Sequence, residues 1–145
     1  MANNFRGFAE RMRKRAISIE ARAQMLQRRV ALVVDQAVVL STPVNTGRAR
    51  ANWQVTVGQP AGGVVDSFPR GQKGSTGSEA AQQAINQGRA VIESSVQGAP
   101  IVITNNVPYI VPLNEGHSLQ APAAFVELAI QQGVAAVKGT TILEN

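Results

Sequence analysis

The sequence predicts an α+β domain: a long N-terminal helix, a small antiparallel sheet packed by two further helices, and one long glycine-rich loop. Three observations carry this. Apolar residues recur every three or four positions from Phe5 to Leu40, the segment Asn52 to Val57 alternates polar and apolar, and two later helical spacings flank a β-rich run. At 145 residues with 44% apolar and 16% charged content, the chain suits a single domain with a modest core.

In the first element Phe5, Phe8, Met12, Ala16, Ile19, Ala23, Leu26, Val30, Val33, Ala37 and Leu40 form one amphipathic stripe. Its period is close to 3.5 residues, as in a helix that packs lengthwise on another. Ala31 to Leu40 is apolar nearly all round and is expected to lie on its own domain. Residues 1–16 are expected to protrude as a basic arm that reaches a neighbour. Ser41-Thr42-Pro43 stops the helix, because proline disfavours helical geometry in the residue before it.

After a turn at Asn45-Thr46-Gly47, the strand over Asn52–Val57 directs Trp53, Val55 and Val57 to the core, with Trp53 as the large anchor. Residues 58–78 hold six glycines, two prolines and three serines without periodicity, and read as a flexible loop. Ser78 is placed to cap a second helix running to Gly98. Pro100 to Thr104 and Val107 to Leu113 read as two extended runs joined at Asn105-Asn106, a hairpin with Pro108 and Tyr109 fixing its rim. Pro122 suits the first turn of a final helix closed by Lys138 and Gly139, leaving 139–145 as a tail.

Function classes narrow by exclusion. With no cysteine and one histidine, thiolate and paired-histidine metal sites have no source, and no cofactor is expected. No apolar run is long enough to span a membrane, and the charged N-terminus is unlike a signal peptide, so the chain is expected to stay in the compartment that made it. Glu115-Gly116-His117-Ser118 has the residue types of a hydrolytic triad, but consecutive residues of an extended segment point to opposite faces. His117 reads instead as an interface or turn residue, and no enzymatic activity is expected.

The net charge of +5 is uneven. Residues 1–29 hold Arg6, Arg11, Arg13, Lys14, Arg15, Arg22, Arg28 and Arg29 against Glu10 and Glu20, a local +6. Such a segment is a solvated basic face, or it meets nucleic acid or the electronegative face of another protein. The pI of about 10.8 also fits a DNA binder, although no recognition module accompanies it.

Two motifs are more specific. Thr42-Pro43-Val44-Asn45-Thr46-Gly47-Arg48-Ala49-Arg50-Ala51-Asn52-Trp53 follows the long helix. Ile103-Thr104-Asn105-Asn106-Val107-Pro108-Tyr109 and Leu113-Asn114-Glu115-Gly116-His117-Ser118-Leu119-Gln120-Ala121-Pro122 precede the last one. In this order and setting they resemble the head-tail joining family of long-tailed bacteriophages, known as neck, tail-completion or minor tail proteins. The resemblance covers roughly Ile17 to Val137 except the loop at 58–78. Asn45 stands where the pattern has aspartate, and Ala124 where it often has glycine.

The resemblance implies a non-enzymatic virion protein, assembled in the host cytoplasm into a homo-oligomeric ring of six or twelve copies around the DNA exit channel. Its implied partners are portal, adaptor or connector proteins and tail terminator or tail tube proteins, with room for nonspecific contact with genomic DNA and none with membrane. The residues expected at interfaces are Arg11, Arg13, Lys14, Arg15, Arg48, Arg50, Glu115 and His117, with Glu115 as an acidic partner for an arginine. Thr46, Gly47, Trp53, Asn105, Asn106, Pro108, Tyr109, Gly116 and Pro122 are the structural positions of the motifs. The rival readings are a packaging-associated, nonspecific DNA binder using the basic helix, and a small hydrolase centred on His117.

Overall fold

The computed structural model describes residues 2–140, with side chains from residue 4 onward. It has the α+β architecture, built on a helix α1 (Ala2–Ser41) of 40 residues, about 60 Å long. A one-turn helix α2 (Arg48–Ala51), strand β1 (Trp53–Val57), helix α3 (Gly77–Glu93), strand β2 (Ile101–Asn105), a short helix α4 (Ile110–Asn114) and helix α5 (Phe125–Val137) follow. The sheet has two antiparallel strands, with Trp53 opposite Asn105 and Val57 opposite Ile101.

The C-terminal half of α1 is the spine of the core. Val38, Val39, Trp53, Ala81, Ala84, Phe125 and Ala129 are buried together, and Ala31, Val55 and Ile92 form a second cluster beside them. Small residues permit the close approaches. A Cβ at Gly133 of α5 would come within 2.4 Å of Val34 on α1, and one at Gly88 of α3 would come within 2.4 Å of the Asp35 carboxylate. Asp35 is itself buried, 1% exposed, at the crossing of α1 and α3.

Several local expectations are corrected. Val107–Leu113 is not a strand: Ile110–Asn114 is helical, and β2 pairs with β1 across a long connection, so no hairpin forms at Asn105-Asn106. Two local hydrogen bonds, one of them to a side chain, turn the chain early. The Asn105 Oδ1 accepts from the Val107 amide at 3.2 Å, and the Ile110 amide donates to the Val107 carbonyl at 3.2 Å, which starts a helical turn after Pro108. Strand β1 starts at Trp53, not Asn52, and its last residue Val57 is 36% exposed.

Helix α3 begins one residue before Ser78, at Gly77, and Ser78 does not cap it. It ends at Glu93, five residues short of Gly98, and Val96 is 64% exposed outside it. Pro122 precedes α5 by three residues instead of occupying its first turn. The N-cap residue Ala124 has φ 62°, and Asn114 from α4 supplies the cap: its Oδ1 accepts from the Val126 amide at 2.9 Å and its backbone carbonyl from the Ala124 amide at 2.6 Å. At the other end Gly139 takes φ 84° after the helix stops, as expected. Of the anticipated tail, residues 141–145 lie outside the described residues.

Candidate functional site

The two sequence motifs meet on one face of the domain. Gly47 starts it, with φ 90° and a packed surrounding in which a Cβ would lie 3.0 Å from the Pro69 carbonyl oxygen. The chain then makes α2 and enters β1. Trp53 is 7% exposed, and its Nε1–H donates to the Thr42 hydroxyl at 2.8 Å, which in turn donates to the Val38 carbonyl at 2.5 Å. The indole thus anchors the core and ties the strand to the end of α1.

Arg50 lies within this arrangement. Its guanidinium donates to the carbonyls of Leu40 (3.1 Å), Thr42 (2.9 Å) and Gly77 (3.3 Å), and burial lowers its pKa. It supplies a charged donor to carbonyls where α1 ends and to Gly77 at the start of α3, so the anticipated interface arginine makes its hydrogen bonds within the fold. Arg48, in contrast, keeps its side chain on the cavity walls described below.

The second motif closes over the first. The Gln120 side-chain amide pairs with the Val44 backbone, accepting from its N–H at 2.8 Å and donating to its C=O at 3.1 Å. Asn105 Nδ2 donates to the Ala49 carbonyl at 2.8 Å. Between the motifs lies an open notch of about 360 Å³, walled by Pro43, Val44, Arg48, Tyr109, Leu113 and His117 among others. A neighbouring hollow shares Thr46, Arg48 and Tyr109 and adds Phe68 and Arg70, whose guanidinium stacks 4.9 Å from the Phe68 ring centre. The rim carries Arg48 and Arg70 beside the aromatic rings of Phe68 and Tyr109.

The glycine-rich loop is irregular up to α3 but is tied to this face by side-chain amides. Asn52 Nδ2 donates to the Val65 carbonyl at 3.0 Å and its Oδ1 accepts from the Val65 amide at 2.6 Å. Gln54 donates to Gly63, Asn106 donates to Ala61 and Gly63, and Asn45 Oδ1 accepts from the Lys73 amide. Asn45 therefore holds the loop by accepting an amide N–H, a task a neutral side chain performs as well as aspartate.

Of the remaining anticipated residues, His117 and Tyr109 border the notch and the basic residues of the arm lie far from it. Glu115 and His117 are exposed, and Gly116 between them takes φ 94°. The Ser118 hydroxyl accepts from the Gln120 amide at 3.2 Å and so closes a turn. Pro108 is exposed and Tyr109 is 38% exposed beside the notch. Arg11, Arg13, Lys14 and Arg15 are exposed on α1, about 40 Å along the helix from Thr42. Sequence reasoning placed Asn52, Asn114 and Gln120 in the motifs but missed what they hold, because a side-chain amide that bonds a distant backbone leaves no periodic signal. It also missed Asp35, which sits in an apolar helical run, has no hydrogen bond to Oδ1, and is pushed by burial up to about 7.

Among the described residues no three His, Asp or Glu side chains cluster as a metal site, and no helix is long and apolar enough to cross a membrane. No protein-family model, curated protein or solved structure matches the chain.

Proposed function

We propose that this chain is a structural subunit of a phage neck, closing into a homo-oligomeric ring that joins the portal complex to the tail and surrounds the DNA exit channel. The observation that carries the reading is the meeting of the two motifs: segments 42–53 and 103–122, far apart in sequence, build one basic, notched face. That shared face is the reason for reading them as one functional unit. The long helix leaves that body with Phe5, Phe8 and Met12 exposed at 81%, 55% and 49%, as a subunit completed by neighbours would.

In this reading the chain acts by geometry and has no catalytic role. His117, exposed near a turn-closing Ser118, serves as a contact on the notch wall. The ring is tested by electron microscopy of the purified protein and of particles: annular assemblies, and a density at the neck that is lost when the gene is deleted, are expected. A protein that remains monomeric and is missing from virions sinks the reading. The second reading, nonspecific DNA binding through the basic helix, is favoured by the local +6 and predicts retention on duplex DNA that weakens steeply with salt.

A further inference from the structure

Resting on the ring reading, we propose that the bare N-terminal stretch of α1 docks head to tail on the outward face of α5 in a second copy of the chain. On a helical projection of ~100° per residue, Phe5, Phe8, Met12 and Ile19 fall in the same narrow stripe as Val30, Val34 and Ala37. Along its C-terminal half this stripe is covered by α5, whose Gly133 packs on Val30 and Val34. Along its N-terminal half it lies open: Phe5, Phe8 and Met12 are exposed. The bare stretch continues an existing helix-on-helix seam that lacks only its second helix.

Helix α5 supplies the matching half. Phe125, Ala129 and Gly133 face inward and are buried, yet Ile130 and Val134 are 49% and 58% exposed on the outside. On the outward face Ile130 and Val134 form an apolar strip edged by Glu127 and Gln131, which a second helix can cover. Phe5 to Ile19 spans about 21 Å and α5 about 20 Å, so the lengths agree.

Charge favours this face over the arginine-edged hollows. Arg6 and Arg13 lie on one flank of the stripe and Arg11 and Arg15 on the other, so the docking surface must not be basic. The apolar hollow beside Met25 and Leu32 is edged by Arg28 and Arg29, and the notch and its neighbour by Arg48 and Arg70. The one charged residue within α5 is Glu127, exposed, its carboxyl held low by a hydrogen bond from Asn114, while Lys138 stands at the C-cap about 16 Å away along the axis. Arm-to-arm pairing would bring like charges together, and a DNA backbone would leave the phenylalanines uncovered. The contact joins two different surfaces, which propagates around a ring instead of stopping at a dimer.

The chain has no cysteine, so single cysteines report the contact directly. Full-length Phe8→Cys or Met12→Cys is mixed with Ile130→Cys or Val134→Cys and oxidised with copper phenanthroline. Disulfide-linked dimers spanning the two variants are expected for at least one pair, and a ladder of higher species when both cysteines share one chain. Using both arm positions guards against one substitution weakening the contact. Cross-linking of an arm variant to itself, or retention on duplex DNA without cross-linking, overturns the proposal. An oligomer by light scattering that yields no mixed cross-link overturns the docking mode and leaves the ring. A chain monomeric at every concentration overturns both.

Discussion

Replacing Asp35 by asparagine is expected to stabilise the protein at neutral and alkaline pH. The carboxyl is 1% exposed between α1 and Gly88, one of its oxygens has no hydrogen bond, and burial raises its pKa from 3.8 to about 7. Below about pH 4 the folded and unfolded chains both keep the proton and the group costs nothing. Between about 4 and 7 the unfolded chain releases it while the folded chain holds it, so stability falls as pH rises. Above about 7 both forms are ionised and the penalty levels off. Three pKa units correspond to about 4 kcal/mol, of which about 2–3 kcal/mol is lost between pH 5 and 8. Asp35→Asn keeps the shape and removes the charge, but leaves an amide N–H that costs about 1–3 kcal/mol if unpaired. A net gain of about 1–3 kcal/mol at pH 8, turning into a loss of about 1–3 kcal/mol at pH 4 where only the amide cost remains, is therefore expected. Urea unfolding followed by the fluorescence of the single tryptophan, Trp53, at pH 5 and pH 8 measures it. Wild type and variant showing the same change between the two pH values would refute the buried-carboxylate account.

Arg50→Met is expected to cost about 2–3 kcal/mol in urea unfolding, because carbonyls at the end of α1 lose a charged donor, and Arg50→Lys recovers only part since an ammonium cannot span three carbonyls. Asn114→Ala is expected to cost about 1 kcal/mol and to increase amide exchange selectively over the first turn of α5; unchanged exchange there would remove Asn114 as its cap.

The parts legible in the sequence were those written as periodicity. The long apolar stripe, the alternation at Trp53 and Val55, and the stop at Pro43 each express a geometry that local residues set alone. What escaped was fixed by contacts between distant segments. Val107 to Leu113 has strand-like composition, yet Asn105 turns the chain and a single helical turn results. Ser78 and Pro122 carry good start signals, but α3 begins one residue earlier, at Gly77, and α5 begins where Asn114 reaches. Of the candidate site, the motif residues were legible and their convergence was not. Arg50 illustrates the difference: its charge was readable, its three carbonyl partners were not.

The way the long loop is fastened has an evolutionary consequence. Asn52, Gln54 and Asn106 grip the main-chain carbonyls of Ala61, Gly63 and Val65, which every amino acid possesses, and the Val65 amide, which all but proline supply. Side-chain identity at 59–65 is therefore free to drift, whereas adding or deleting one residue throws the clasps out of step. Relatives of this protein should differ in the loop's lettering far more than in its spelling length, and should keep the three amide side chains that hold it.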